Sequence, residues 1–558
     1  MYSMKKKAKR IIAAGALIIL LLPAMIVLSS YGSRNFEITR NLDIFTTLFR
    51  ELVVNYVEDV NASEMMKSGI DGMLNTLDPY TTFIPESEIE DVRFMTTGQY
   101  GGIGAAIQRR GEYVMIAEPH PGFPAQKAGL LPGDIILEIN GQSVKGRHED
   151  QVRNLLMGQP GTTLTLLIER YGEDSPLMKS LTREVVKIDN IPYSGMLNEH
   201  TAYIRLTGFT QHAGREVREA FKQLSSEYQV QNLILDLRGN GGGLMHEAVN
   251  IANLFLDKGQ LIVNTRGRIE DRSTTHRTLN EPMDTEIPLV ILIDPGTASA
   301  SEIVAGAIQD YDRGVIVGQR SFGKGLVQNV VPLSYNTQLK VTVAQYYIPS
   351  GRSLQAINYA QRREDGSVAM IPDSLKVAHT TRGGRTVYDG GGIDPDIVVD
   401  ISDFGMVTRA LIRDYMIFDF ATRYSRQHEQ IPSPDEFRLT DQIYEDFVHF
   451  VAERDFNYIT ESERLLNELR RVSRSESYYE AIKPEFDQLA ENFRKEKEQD
   501  LYTFRNEIER FLREEIVARY HSQRGRIISS LSDDPDIRHA LQVLSDEQMY
   551  RSILALKE

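Results

Sequence analysis

Two nearly continuous apolar runs constrain the fold of this chain more than any other feature. The segments NLILDLR (232–238) and LVILIDP (289–295) are short and are followed by glycine-containing turns. Runs of this kind are typical of strands that are buried on both faces of a sheet. Helical patterns lie beside them, an amphipathic one at 215–228 and an apolar one at 302–311. This order predicts βα units around a mixed sheet, an α/β core over residues 185–402.

The pattern of apolar, charged and turn residues differs in other parts of the chain and predicts further domains. At about 150 residues per domain, 558 residues should form three or four domains. Apolar residues recur at helical spacing over 36–95, whereas short β-rich runs between Gly and Pro turns fill 96–172. Residues 405–558 are charged and helical in pattern. These last helices are compatible with a solvated appendage that packs on the body or on a second copy in a homo-oligomer. No catalytic role is expected there.

The N-terminus has the pattern of a membrane segment. Five of the six residues from Lys5 to Arg10 are basic, and the next twenty carry no charge. At about 1.5 Å per residue, such a helix spans the roughly 30 Å hydrocarbon core of a bilayer. The basic cluster should stay in the cytoplasm, so the remainder of the chain is expected outside it. Residues 1–33 are therefore predicted to be a retained transmembrane anchor, in preference to a cleaved signal peptide.

Composition excludes several classes of function. The net charge of −15 argues against a nucleic-acid partner, which would favour a basic surface. Because the chain has no cysteine, disulfides, thiolate catalysis and lipid attachment to cysteine are excluded. The segment MHEAVN (245–250) lacks the second histidine of a zinc-peptidase helix, so no metal site is predicted.

The segment GTASASE (296–302) places hydroxyl side chains between an apolar strand and a helix. Ser299 or Ser301 can serve simply as a helix cap, the commonest role of serine at such a position. Alternatively, Ser299 is a nucleophile that needs a base. Lys324 lies between two glycines and beside apolar residues, which would desolvate its ammonium group and favour the neutral base. The same pattern is also common in surface turns, so these residues alone leave both interpretations open.

Together these segments resemble the C-terminal processing peptidases (tail-specific proteases), which are serine proteases with a Ser-Lys dyad and a PDZ domain. The resemblance covers residues 36–400 and rests on SASE, QDY and FGKGLVQ and, near the end of the core, on YYIPSGRSLQ (346–355) and GGIDPDIVV (391–399). It implies that Ser299 is the nucleophile and Lys324 the base, separated by 25 positions (324 − 299). It also implies that Gln328, expected one helical turn beyond Lys324, orients the lysine.

Further roles follow from the same resemblance. The loop RGNGGG (238–243) resembles the family's glycine loop, so Gly242 is expected to donate its amide to the oxyanion together with Ala300. Gly241 is the alternative donor. Glu302 and Asp310 match family positions and are expected to cap the helix and support it locally. An insertion at 357–390 is longer than in the shortest family members, so it bears on substrate range.

The segment GQYGGIGAAI (98–107) resembles the carboxylate-binding loop of a PDZ domain. The amides of Gly102, Ile103 and Gly104 are expected to receive the terminal carboxylate of a bound chain, which would add one strand to the sheet. A plain strand-entry turn is the alternative. Three residues of the helical segment 148–158 are expected to line the pocket for the last side chain: Val152, Leu155 and Leu156.

The resemblance and the N-terminal segment together predict an endopeptidase of the bacterial cell envelope, anchored in the inner membrane and facing the periplasm. It would bind proteins with apolar C-terminal tails and cleave them through an acyl-enzyme, with no cofactor. An adaptor protein that activates the enzyme is a further candidate partner. The alternative is an inactive protease fold whose PDZ domain gathers envelope proteins as a scaffold.

Overall fold

The computed structural model describes residues 35–362, 367–400, 404–454 and 456–554. The chain divides into two compact units between Phe83 and Ile84. In the first unit, residues 35–55 form helix α1, and Asn61 caps helix α2 (Ala62–Leu74). The predicted anchor at 1–33 lies outside the described residues. Within the described ranges, no helix is long and apolar enough to cross a membrane.

The second unit begins with a β-rich module where the sequence predicted one. After strand β1 (Thr82–Ile84), its elements are α3 (Ile89–Thr97), β2 (Gln99–Gly102), β3 (Ala105–Arg110), β4 (Tyr113–Pro119), α4 (Pro124–Lys127), β5 (Ile135–Ile139), β6 (Gln142–Ser143), α5 (Glu149–Leu156), β7 (Thr163–Glu169), β8 (Leu177–Thr182) and β9 (Glu184–Lys187). The sheet order is β3–β4–β5–β7–β8, with β6 on β5, and β2 pairs separately with β9. Alternate residues of β7, Leu164, Leu166 and Ile168, are buried, which is the two-residue period of a half-buried strand.

The α/β core follows. Its elements are β10 (Tyr193–Met196), β11 (Thr201–Arg205), α6 (Ala213–Glu227), β12 (Asn232–Asp236), α7 (Met245–Phe255), β13 (Leu261–Gly267), β14 (Thr274–Arg277), β15 (Leu289–Ile293), α8 (Ala300–Asp310), β16 (Val315–Gly318), β17 (Leu326–Pro332), β18 (Gln338–Tyr347), β19 (Ile357–Arg362), β20 (Val368–Met370), β21 (Ala378–Thr380), β22 (Thr386–Tyr388) and β23 (Ile397–Val398). The two apolar runs are confirmed as strands β12 and β15.

The core contains a mixed sheet, as predicted, in the order β10–β11–β12–β15–β16–β23. Strand β10 runs antiparallel to β11, and the other pairs are parallel. Strands β17, β18, β13 and β14 pair antiparallel in that order in a second sheet. Within the insertion at 357–390, β19 pairs antiparallel with β20, and β21 pairs antiparallel with β22.

The C-terminal extension is helical, as its pattern indicated. Its helices are α9 (Met406–Arg413), α10 (Met416–Gln427), α11 (Asp441–Ala452), α12 (Glu461–Ser475), α13 (Tyr479–Thr503), α14 (Arg505–Leu531), α15 (Pro535–Ser545) and α16 (Glu547–Ile553). Thr460 caps α12 and accepts from the Glu463 amide, while the Glu463 carboxylate accepts from the Thr460 amide. This is a reciprocal capping box.

The extension supplies one of the layers that bury the central sheet. Leu235 and Ile291 pack in the cluster beneath α6–α8, whereas Ile234 and Val290 point to the opposite face and pack with Ile537 of α15. Consecutive strand residues alternate between faces, so a strand that is apolar on both needs two covers. Helices α14–α16 thus pack on the body, which is one of the two arrangements expected for the extension, and they are part of the core instead of being solvated.

Candidate active site

An open cavity of about 660 Å³ brings together the five residues that the sequence analysis assigned to the reaction centre. They are contributed by the glycine loop after β12, the start of α8, the loop before β17 and β17 itself. The five lining residues are Gly242, Ser299, Ala300, Lys324 and Gln328. Gly241, the alternative donor, lines the same cavity.

Ser299 occupies the turn between β15 and α8 in an unusual backbone conformation. Its φ and ψ are 58° and −114°, a region that residues with a side chain rarely adopt. Ser301, the other candidate, is buried and donates its hydroxyl to the Asn240 carbonyl at 2.9 Å. Ser299 therefore faces the cavity, while Ser301 ties α8 to the glycine loop.

Glu302 connects the segments that carry Ser299 and Lys324. Its Oε2 accepts from the Ser299 amide at 2.8 Å and from the Lys324 amide at 2.9 Å. Its Oε1 accepts from the Ser321 hydroxyl at 2.6 Å and from the Gly323 amide at 2.7 Å. Burial raises the pKa of this carboxyl to about 7, although the four donors act to lower it. Its role is wider than the helix capping expected from the sequence.

Tyr346 of β18 makes a second connection between the same segments. Its ring is buried, and its single hydroxyl proton is shared between two carbonyl oxygens, that of Lys324 and that of Ser299, which lies 3.2 Å from the hydroxyl. The Ser299 and Lys324 backbones are thus held by Glu302 from their amides and by Tyr346 from their carbonyls. Hydrogen bonds in such buried networks fix geometry, because each lost partner leaves a desolvated polar group.

The expected helical turn between Lys324 and Gln328 is wrong. Gln328 belongs to strand β17, which pairs with β18, and its Nε2 donates to Thr342 Oγ1 at 3.2 Å. The neighbouring Val327, Val330 and Val331 explain the difference, because β-branched residues favour strands over helices.

The glycine loop packs directly against the serine. Gly242 has a φ of +95°, and a Cβ atom there would lie 2.8 Å from Ser299 Cβ and from the Ala300 amide nitrogen. The Gly242 amide donates to Asn240 Oδ1 at 2.9 Å. In this conformation the predicted oxyanion donor is therefore engaged within its own loop.

Asp310, at the end of α8, lies far from the serine turn and supports the helix. It forms a buried ion pair with Arg352 at 2.9 Å and accepts from the Ser350 amide at 2.9 Å. Burial raises the pKa of this carboxyl. Among the described residues, no cluster of three or more His, Asp or Glu side chains could hold a metal ion.

A second cavity, of about 270 Å³, lies in the β-rich module between β3 and α5. It is lined by Ile103, Ala105, Ile107, Leu156 and Met157, among others. Gly102 ends β2, opposite Glu184 of β9, and Gly104 has a φ of +69°. Of the three helix residues expected at the pocket, Leu156 lines the cavity, whereas Val152 is fully buried in the core of the module.

Sequence reasoning assigned no role to Tyr346 or Asn240. Each lies in a segment that carried the resemblance, Tyr346 in YYIPSGRSLQ and Asn240 in RGNGGG, so the signal was the segment and not the side chain. Their contacts with the serine turn depend on chain packing.

Comparison with known proteins identifies three regions. Residues 200–361 match the family described as peptidase family S41, and residues 115–170 match a PDZ domain. Residues 407–544 match the family described as "Probable PDZ-protease, C-terminal helical domain".

Individual proteins similar to this chain are also described as proteases. A carboxy-terminal-processing protease of Bartonella bacilliformis is 36% identical over 321 residues, covering 57% of this chain and 73% of the relative. A probable CtpA-like serine protease of Staphylococcus aureus is 32% identical over 314 residues, 56% of this chain and 62% of that protein. A solved photosystem II D1 C-terminal processing protease is 28% identical, with a TM-score of 0.36, and the match covers 63% of this chain and 86% of that one.

Proposed function

Because this chain belongs to peptidase family S41, the carboxy-terminal-processing serine proteases, we propose that Ser299 and Lys324 form its catalytic dyad. The observation that carries this proposal is the double connection described above. Glu302 accepts from both backbone amides, and the Tyr346 hydroxyl shares its proton between both carbonyls, at the edge of one cavity. Such support preorganises two reacting groups, which is a large source of catalysis.

In the proposed reaction, neutral Lys324 accepts the hydroxyl proton of Ser299 as Oγ attacks the carbonyl carbon of the scissile peptide bond. The C–N bond then breaks, and the leaving amine takes the proton from Lys324. An ester between Ser299 and the N-terminal product remains. A water gives its proton to Lys324, attacks this ester and releases the carboxylic acid, and Ser299 recovers its proton. Gln328 would orient the lysine from β17, in the manner of a third triad member.

The Ala300 and Gly242 amides are the proposed donors to the tetrahedral oxyanion. Their closeness supports this, since a Cβ atom added at Gly242 would lie 2.8 Å from the Ala300 nitrogen. The Ala300 amide at the N-terminus of α8 also places the positive end of the helix dipole beside developing negative charge. For Gly242 to donate, its hydrogen bond to Asn240 Oδ1 has to open.

The PDZ domain is proposed to select substrates by their apolar C-terminal tails. Strand β3 is the terminal strand in its sheet order, and the lining of the cavity beside it includes the apolar residues Ile103 and Leu156. A peptide added to β3 would present its terminal carboxylate to the amides of Gly102, Ile103 and Gly104.

The N-terminal basic and apolar segments support a place in the bacterial envelope, anchored in the inner membrane with the protease outside the cytoplasm.

The test is cleavage of an unfolded protein with an apolar C-terminus by the full-length chain in detergent. Wild type, Ser299→Ala and Lys324→Ala are compared, with Ser301→Ala as the matched control. We expect cleavage by wild type, slower but measurable cleavage by the Ser301 variant, which loses only the hydroxyl that ties α8 to the glycine loop, and none by the other two. Wild-type protein that binds the C-terminal peptide but neither cleaves nor reacts with a fluorophosphonate would instead favour the scaffold alternative.

A further inference from the structure

A cluster of buried charges joins the C-terminal extension to the base of the glycine loop. Arg238, the first residue of this loop, donates through Nη1 to Asp534 Oδ1 at 2.9 Å and to Asp536 Oδ2 at 2.6 Å. Asp534 caps helix α15 and Asp536 lies in its first turn. Both acids are nearly 300 positions from Arg238 in the sequence.

The other side of the guanidinium group is held by β12. Nε and Nη2 of Arg238 donate to the two carboxylate oxygens of Asp236, at 3.0 and 2.7 Å. Asp236 also accepts from Tyr203 and Arg205. All three acids around Arg238 are buried, so the planar guanidinium is fixed by a desolvated network on both sides.

From Arg238 the contacts continue to the serine. The Gly239 amide donates to Asp294 Oδ1 at 2.8 Å, and the Asn240 carbonyl accepts from the Ala298 amide at 3.0 Å. Two residues later, Gly242 packs against Ser299 and Ala300. The loop is therefore anchored at its start by Arg238 and at its end by the serine turn.

Helix α15 is held in place independently of these charges. Ile537, Ala540 and Val543 pack against the central sheet, and the Tyr550 hydroxyl of α16 accepts from the Leu289 amide at 2.9 Å. The two aspartates are thus presented to Arg238 from a firmly packed element. Removing their charge should change the hold on Arg238 more than it changes the docking of the helix.

We propose that Asp534 and Asp536 are positioning residues of the protease: through Arg238 they set the glycine loop at the distance from Ser299 that the reaction requires. The C-terminal extension then contributes to catalysis without touching the substrate. The inference rests on the proposed function, since it uses the roles given there to Ser299 and Gly242.

The test uses the full-length chain in detergent and compares Asp534→Asn, Asp536→Asn and the double variant with wild type. Asp533→Asn is the matched control, because this neighbouring acid pairs with Arg513 inside the extension at 2.6 Å. kcat, KM, the rate of fluorophosphonate labelling and thermal unfolding are measured for each. We expect kcat and the labelling rate to fall at least tenfold in the double variant, with KM within twofold of wild type. The control should keep kcat within twofold, and Asp536→Glu should recover part of the loss.

The proposal is overturned if the double variant keeps the wild-type kcat, or if Asp533→Asn lowers kcat as much. If the double variant does not fold, the single variants and Asp536→Glu decide, since a purely structural role would move thermal unfolding and leave kcat per folded molecule unchanged. A failure of the proposed function looks different. In that case wild type itself would not cleave, or Ser299→Ala would cleave as well as wild type.

Discussion

Replacing Gly242 by alanine tests the closest approach in the candidate active site. The added Cβ would meet the Ala298 carbonyl oxygen at 2.7 Å and Ser299 Cβ at 2.8 Å, and real Cβ atoms do not come so close to backbone. The residue also has a φ of +95°, which costs an L-residue on the order of 1–3 kcal/mol. Relieving the overlap should cost about 1–3 kcal/mol more, the usual range for overpacking.

The combined strain of about 2–6 kcal/mol has to be relieved by moving the loop away from the serine turn. If only 2 kcal/mol of it is lost from the transition state, kcat falls roughly thirtyfold, at about 1.4 kcal/mol per factor of ten. We therefore expect Gly242→Ala to lose at least that factor in peptide hydrolysis, together with stability in urea unfolding.

Gly241→Ala is the control one position away. A Cβ at Gly241 would have no neighbouring atom within 4 Å, so this variant should keep its stability and, because the Gly241 amide is retained, lose far less activity than Gly242→Ala. The assay is the initial rate of cleavage of a fluorogenic peptide, normalised to the folded fraction. Equal activity of the two variants would refute the reasoning, because the loop would then not lie against Ser299 during the reaction.

Three further results are expected. Tyr346→Phe removes the hydroxyl that holds the Ser299 and Lys324 carbonyls, so it should cost about 1–3 kcal/mol in urea unfolding and lower kcat. Tyr347→Phe should change neither the unfolding free energy nor kcat, because the Tyr347 hydroxyl contacts Gln345 of its own strand, and equal effects of the two variants would contradict this. The pKa of Glu302 is about 7 in the folded state against 4.5 as its ordinary value, so between these pH values the folded protein keeps a proton that the unfolded chain has released. The free energy of unfolding should therefore fall by about 3 kcal/mol as pH rises from 4.5 through 7. Urea unfolding of Glu302→Gln should lack this decline, and an unchanged pH slope in that variant would argue against the prediction. Thr460→Ala should cost about 1 kcal/mol by removing the cap of α12, measured by thermal unfolding, with no change in kcat per folded molecule.

Much of the fold follows from local pattern. The apolar runs that became β12 and β15 need burial on both faces, and the helical period after Ser299 predicts α8. Gln328 shows where local pattern fails. A spacing of four from Lys324 fits a helical turn, but pairing with β18 and the nearby valines favour the strand.

The candidate site was predicted as a set of residues, and its geometry was not. The sequence left Ser299 and Ser301 as alternatives, because both precede the same helix. The folded chain distinguishes the two serines, because the Ser301 hydroxyl donates to the Asn240 carbonyl, whereas Ser299 lines the cavity. The Gly242 amide was expected to be free for an oxyanion, and only the structure shows its hydrogen bond to Asn240.

The sequence by itself determined the local elements, the absence of cysteine chemistry and the residue types available for a serine-lysine reaction. Only the tertiary structure decided which distant groups support them: Tyr346 beside Lys324, and Asp536 beside Arg238 at a separation of 298 positions. The physical reason is that periodicity specifies which face of an element is buried, but not which element covers it. That choice is made when the whole chain packs, and here it placed the C-terminal helices against the sheet that carries the serine turn.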